Sequence, residues 1–305
     1  MTLFGKRKKV LLTVVPLALA LTAGTGLYAD HHEGGSEPNS ALSFSAGVDA
    51  STAYYYNGIP QQNKGVVTWP WTEMGIQFCE AIGVTFGTWN SLHDNGSSSN
   101  PWYESDFSAG TSISAPGLPV EFGVTYVYRY HPNGGDFFSE ELQFSLSLDD
   151  SEIIGDAIGL ENGLSPYVQI SQEIDGGSDT LGDGTNPGHR GTLLLVGVEP
   201  GVTAMRESDY PVNLSLPVTL GLNLDDYYET SGPDDDDDFG FVDVGLVADF
   251  PLAFIPAEYG NWSAAAAFHV LFLGDSARQI GRDFGVASDF KDIEVYGTAG
   301  ITVEM

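Results

Sequence analysis

Residues 212–224 read Val-Asn-Leu-Ser-Leu-Pro-Val-Thr-Leu-Gly-Leu-Asn-Leu. Successive side chains of a strand point to opposite faces, so Val212, Leu214, Leu216, Val218, Leu220, Leu222 and Leu224 share one face. Asn213, Ser215, Pro217, Thr219, Gly221 and Asn223 share the other. One face is greasy and the other small and polar, the mark of a sheet that separates two different media.

The pattern repeats along the chain. Leu42, Phe44, Ala46 and Val48 oppose Ser43, Ser45, Gly47 and Asp49; Val120, Phe122, Val124, Tyr126 and Tyr128 oppose Glu121, Gly123, Thr125 and Arg129. Leu142, Phe144, Leu146 and Leu148 oppose Glu141, Gln143, Ser145 and Ser147, and Val242, Val244, Leu246, Ala248 and Phe250 oppose Asp243, Gly245 and Asp249. Period-two segments separated by turn residues predict strands over 42–56, 66–78, 83–90, 102–113, 120–130, 137–148, 166–173, 191–199, 212–224, 239–250, 262–272 and 292–305. The fold class is therefore all-β, and the features given next make the expectation an antiparallel up-and-down transmembrane β-barrel of about 12 strands within a range of 10 to 14. Two long connections, Asp149 to Ser165 and Pro200 to Pro211, break the expectation of short turns at one end, and each hides either a short helix or a missed strand pair.

Alternation alone also fits a secreted acidic β-sandwich with its apolar face inward. Three features favour the barrel. Polar-face positions hold Ser, Thr, Gly, Asn and carboxylates rather than the Lys that usually guards soluble sheets. Segments of 9 to 13 residues suit a tilted crossing of a bilayer. Aromatic residues gather near strand ends, where Tyr54, Trp69, Trp71, Trp89, Trp102, Tyr128 and Trp262 are expected at the membrane interfaces.

The whole chain bounds its chemistry. It has 305 residues, 11 Lys+Arg against 42 Asp+Glu and a formal charge of −31, which repels phosphate backbones and excludes a nucleic-acid partner. With one cysteine, Cys79, no intrachain disulfide or thiolate metal knuckle can form. Lys6, Arg7, Lys8 and Lys9 precede a short apolar run, and Leu27-Tyr28-Ala29 offers a cleavage position, so residues 1–29 read as a signal peptide. Residues 30–40, with His31, His32 and Glu33, read as a disordered mature N-terminus, and 41–305 as a single barrel domain.

Short stretches resemble a known family. Ser51-Thr52-Ala53-Tyr54-Tyr55-Tyr56-Asn57-Gly58-Ile59-Pro60-Gln61 resembles the first hairpin of the TorF-type porin family, with Asn57 where that family usually has Arg. Thr88-Trp89-Asn90-Ser91 is similar to its Trp-x-Ser, and Gly123 to Pro132 resembles its Tyr-rich strand, followed by the acidic Ser139-Glu140-Glu141-Leu142. At the C-terminus, Thr298, Gly300, Val303 and Met305 resemble the assembly signal of outer-membrane proteins, with Met305 in place of the usual aromatic. The resemblance implies a porin-like channel for passive diffusion of small or cationic solutes in the outer membrane of a double-membrane bacterium. It implies the lipid bilayer and the outer-membrane assembly machinery as partners.

Inward candidates in such a barrel are Asp49, Glu104, Asp106, Glu121, Arg129, Glu141, Asp243, Asp249 and Glu294, one positive among many negatives, which gives a cation-attracting interior. No catalytic residue is expected: no nucleophile elbow, zinc-binding helix or phosphate loop occurs, and His93, His131, His189 and His269 are scattered. No cofactor is expected either, beyond calcium loosely held by the run Asp234, Asp235, Asp236, Asp237 and Asp238, whose spacing is not that of a calcium loop.

Overall fold

The computed structural model describes residues 41–94, 101–133, 136–160, 162–176, 190–208, 210–230, 237–283, 285 and 290–305. The signal peptide, the 30–40 tail with its histidines, and Asp234 to Asp236 lie outside the described residues.

The strands are β1 (Leu42–Ser51), β2 (Tyr54–Tyr56), β3 (Ile59–Gln62), β4 (Val67–Cys79), β5 (Ile82–His93), β6 (Trp102–Ser114), β7 (Val120–His131) and β8 (Asp136–Leu148). They continue as β9 (Tyr167–Gly176), β10 (Thr192–Val198), β11 (Gly201–Ala204), β12 (Val212–Ser215), β13 (Val218–Asp225), β14 (Phe239–Pro251), β15 (Asn261–Leu273) and β16 (Ile293–Glu304). Twelve of them pair antiparallel in the order β1, β4, β5, β6, β7, β8, β9, β10, β13, β14, β15, β16, and β16 returns to β1. The closing register sets Ser45 opposite Glu304 and Ser51 opposite Thr298. Closure leaves no open edge within the ring of twelve, the arrangement that satisfies backbone groups without water, and it removes the sandwich alternative.

Every segment expected from alternation forms a strand, and the departures are local. Val212 to Leu224 is interrupted at Leu216-Pro217, because proline lacks the N–H that a ladder needs. Pro200 stands opposite: its carbonyl accepts from the Leu216 amide at 2.9 Å, and the Pro217 carbonyl accepts from Gly245 at 2.8 Å. The strand and its partner therefore continue past the kink as β12 and β11, the missed strand pair, which turns at Met205 to Ser208. Asp149 to Ser165 instead winds into helical turns at Ser151–Gly155 and Asp156–Ile158.

Burial follows the alternation with the sense reversed from a soluble protein. On the outer surface Leu246, Phe268 and Val295 are each more than half exposed, and Phe44, Phe86, Phe107, Phe144 and Ile301 lie in the same belt. On the inner face Glu104, Arg129 and Glu141 are buried. In β13 the inward Thr219, Gly221 and Asn223 are buried while Leu220 and Leu222 are half-exposed and Leu224 is exposed. Arg129 is the one Lys or Arg within the described strands. No described helix is long and apolar enough to cross a membrane.

The start of β1 at Leu42 and the end of β16 at Glu304 lie at one rim of the barrel, called here the terminal end. Residues 52–66 leave β1 at the far end, and there the expected first strand, 42–56, fails. It stops at Ser51, and the chain turns into the barrel: β2 and β3 form a hairpin of which every residue is buried. Asn57 (φ 47°) and Gly58 (φ 81°) make the two-residue turn, the left-handed conformations that an Asn-Gly pair supplies. A side chain at position 58 would meet Phe241 at 2.9 Å, so glycine is also required by space. Helix α1 (Asp275–Asp283) covers the hairpin from the far end, with Gly281 against Pro60 and Ala277 and Ile280 fully buried.

Candidate functional site

The site is the contact between this inserted hairpin and the inner wall. Glu104 and Asp106 lie on β6, Arg129 on β7 and Glu141 on β8, all on inward positions. The ladder sets Asp106 directly opposite Arg129 and Arg129 opposite Ser139. Arg129 bridges the wall: its Nη1 lies 2.7 Å from Glu141 and 3.3 Å from the Ser139 hydroxyl, and its Nε lies 3.3 Å from Asp106. A charge this deep must be paired, since an isolated one costs several kcal/mol to desolvate. One guanidinium beside three carboxyl groups leaves the cluster acidic.

The hairpin and Gln143 of β8 supply the missing donors. Tyr54 Oη donates to Glu104 at 2.9 Å, Tyr56 Oη donates to Glu141, and Gln143 Nε2 donates to the second Glu141 oxygen at 3.0 Å. The Arg129 guanidinium also lies 4.6 Å above the Tyr56 ring, a cation–π contact. Further round the barrel Asn57 donates to Tyr227, Tyr228 donates to the Asn57 carbonyl at 2.7 Å, and Tyr103 donates to Gln61 at 2.6 Å. Burial pushes the phenols of Tyr54, Tyr56, Tyr227 and Tyr228 well above their usual range, so they act as neutral donors.

A second contact lies on the opposite wall. Asp243 accepts from Tyr296 Oη at 2.9 Å and meets His269 Nδ1 at 3.0 Å. The His269 and Tyr296 rings stack at 4.5 Å, and Tyr55 packs on Tyr296 at 5.6 Å. The remaining inward candidates stand apart. Asp49 accepts from Trp71 at 3.0 Å, Glu121 accepts from Ser114 at 3.0 Å near the terminal end, and Asp249 is buried on β14. Glu294 accepts from the Lys291 amide at 2.9 Å at the far end.

The aromatic assignments need correction. Tyr54, Trp69 and Trp89 are each about 1% exposed and pack on one another, and Trp71 is hydrogen bonded to the inward Asp49. Strand parity explains this: Val67, Trp69 and Trp71 share the inward positions of β4, and Trp89 lies opposite Asp106 on the same inner face. Trp71 has room to lie across the wall because its neighbour is Gly47, where a Cβ would sit 2.7 Å from the indole. Trp102 is exposed, and Tyr128 and Trp262 are half-exposed.

Sequence reading missed that this hairpin enters the barrel, and that His269 and Tyr296 meet Asp243 on the inner wall. The Asn57-Gly58 pair behind three tyrosines was the available signal, since such a pair marks a tight hairpin. Of the acidic run, Asp237 accepts from the Ser276 amide at 3.3 Å at the start of α1 and its own amide donates to Ser276, a local structural role. Among the described residues no group of acidic, histidine or cysteine side chains is arranged to hold a metal ion.

No family model matches this chain, and no curated protein matches it. The likeness of its first hairpin to the TorF-type porins thus rests on the quoted residues alone. Among solved structures it is similar to an outer membrane channel from Pseudomonas putida F1, at 8% identity and a TM-score of 0.45, covering 87% of this chain and 96% of that one. It is also similar to a bacterial polysaccharide outer membrane secretin, at 9% identity and a TM-score of 0.38, covering 87% and 99%. A third is Wzi of Escherichia coli, described as a carbohydrate-binding β-barrel, at 8% identity and a TM-score of 0.33, covering 87% and 84%. Likenesses this distant assign no activity to the chain.

Proposed function

We propose that the protein is a β-barrel of a bacterial outer membrane acting as a porin-like, cation-preferring channel for small solutes, with its far mouth closed by the hairpin in the state described. The observation that carries this reading is the reversed burial: a belt of apolar side chains faces outward while carboxylates face inward. An apolar surface encircling a barrel is far larger than soluble proteins expose, and lipid is the solvent it suits. Strands of 13 residues, such as β4, β6, β8, β14 and β15, also fit. At a tilt of about 40° they span on the order of 30 Å.

The terminal end, with the start of β1 and the end of β16, then lies on the periplasmic side and the hairpin on the extracellular side. Acidic inner positions raise the local concentration of cations over anions, and Arg129 offsets this only where it is tied to Glu141 and Asp106. The proposed role is transport without catalysis. Reconstitution into planar bilayers tests it: the protein should need detergent for extraction and carry current with cations favoured over anions. Recovery in the soluble periplasmic fraction, or equal permeability to both ions, contradicts it.

A further inference from the structure

Tyr54 sits in a box. Its ring lies 5.7 Å from Trp69, 5.6 Å from Trp89, 5.9 Å from His93 and 6.5 Å from Tyr103, with edges and faces turned toward it from four sides. Its hydroxyl reaches Glu104 at the end of the box. All four enclosing rings belong to barrel strands, whereas Tyr54 belongs to the inserted hairpin. The occupant and the box are thus supplied by different parts of the fold.

Two observations indicate that the box suits something other than a phenol. Glu104 is 1% exposed, yet its Oε1 has no hydrogen-bond partner, so the Tyr54 hydroxyl answers only one of the two carboxylate oxygens. Withdrawal of Tyr54 also leaves aromatic walls beside a carboxylate that has lost its donor. That combination suits a compact, weakly hydrated organic cation, held by ring faces and by one negative charge. An inorganic cation would instead need a shell of oxygen ligands, which four rings do not provide.

We propose that the box formed by Trp69, Trp89, Tyr103 and Glu104 binds the quaternary ammonium group of a solute, with Tyr54 as a tethered competitor that holds the site shut. The proposal rests on the channel reading and deepens it by naming the solute class. The ligand would enter from the extracellular mouth as the hairpin leaves, and its binding would favour the open arrangement because the closed one excludes it.

Titration of the full-length protein in detergent with choline, followed by tryptophan fluorescence, tests this without requiring conduction. The Tyr54→Ala protein should bind choline saturably and about tenfold more tightly than its neutral isostere, 3,3-dimethylbutan-1-ol. Trp89→Leu in the same background should abolish the response. The unaltered protein should bind choline at least about tenfold more weakly than Tyr54→Ala, since the tethered ring competes. Equal binding of the neutral isostere, or a response unchanged by Trp89→Leu, overturns the proposal. Tyr54→Ser is the second variant, and absence of saturable binding in whichever of the two folds also overturns it. If neither folds, absence of a saturable response in the unaltered protein up to the solubility of choline chloride does so. Failure of the channel reading would instead appear as absence of current in bilayers, with the binding result intact.

Discussion

The two halves of the barrel interior are built from the same strands but from different residues. Toward the terminal end the inner wall carries Gly75, Gly83, Gly110 and Gly123 among Ser43, Ser112 and Ser145, small side chains that leave space between opposite walls. Toward the far end the same strands present Trp69, Trp89, Glu104, Arg129 and Glu141, and the hairpin fills what remains. A twelve-strand barrel is wider than its own side chains can fill, so the far half becomes a packed core only by inserting a segment of chain. On the channel reading proposed above, passage would be controlled at the packed end, and the other end would be wall.

The largest effect should come from removing that difference. Replacing residues 53–62 by a short Gly-Ser linker makes the far half resemble the terminal half, and conductance in planar bilayers should rise about tenfold or more, since a packed core becomes a continuous wet path. No rise would mean that the hairpin does not limit passage.

Arg129→Ala attacks the packed half alone. It leaves Glu141 and Asp106 buried without their counter-charge, which should destabilise the folded barrel by about 3 to 5 kcal/mol. Glu121→Gln at the terminal half should change stability by less than about 0.5 kcal/mol. Urea titration followed by heat-modifiable gel mobility measures both, and similar losses would erase the distinction between the halves.

Selectivity should respond the other way round. Glu121→Gln combined with Asp249→Asn lowers the charge of the open half, so reversal potentials should move a few-fold toward anions in the hairpin-deleted channel, with the difference shrinking as salt screens the field over ~10 Å at 0.1 M. A shift of equal size at high salt would point to steric causes.

The smallest effect concerns Glu199, at the kink between β10 and β11. Burial pushes its carboxyl up to about 7, against a smaller opposing contribution from the Ser215 hydroxyl. A proton is then bound more tightly in the folded than in the unfolded chain. The contribution to stability is complete below the ordinary carboxylate range near pH 4.5 and is lost as pH rises through about 7. Thermal unfolding midpoints should fall across that window in the unaltered protein and stay flatter in Glu199→Gln.

The barrel was legible because its signal is periodic. Each strand repeats apolar and polar side chains against two different media, so even the kinked Val212 to Leu224 declares its faces, and the last strand's pairing with the first follows from closure. The inward placement of Asp106, Arg129 and Glu141 follows from the same parity. The hairpin was not legible in this way, because Tyr54 to Gln62 is buried on both faces and so carries no alternation. Trp69 and Trp89 misled for a related reason: a tryptophan near a strand end suits a membrane interface as well as a plugged interior, and only its parity relative to Asp49 and Asp106 separates the two. Glu104 and Glu141 could be placed inward, but their convergence on Tyr54 and Tyr56 depends on a loop entering the barrel.

The most direct measurement is a reversible lock on the hairpin. Pro60 touches Gly281 of α1, so Pro60→Cys with Gly281→Cys, in a Cys79→Ser background that removes the exposed native thiol, offers a disulfide between the hairpin and its cover. Single-channel recording of this protein should show little current when oxidised and repeated openings after a reductant is added to the extracellular side. Equal conductance in the two redox states, with the disulfide confirmed by gel mobility, would contradict the claim that the inserted hairpin closes the barrel.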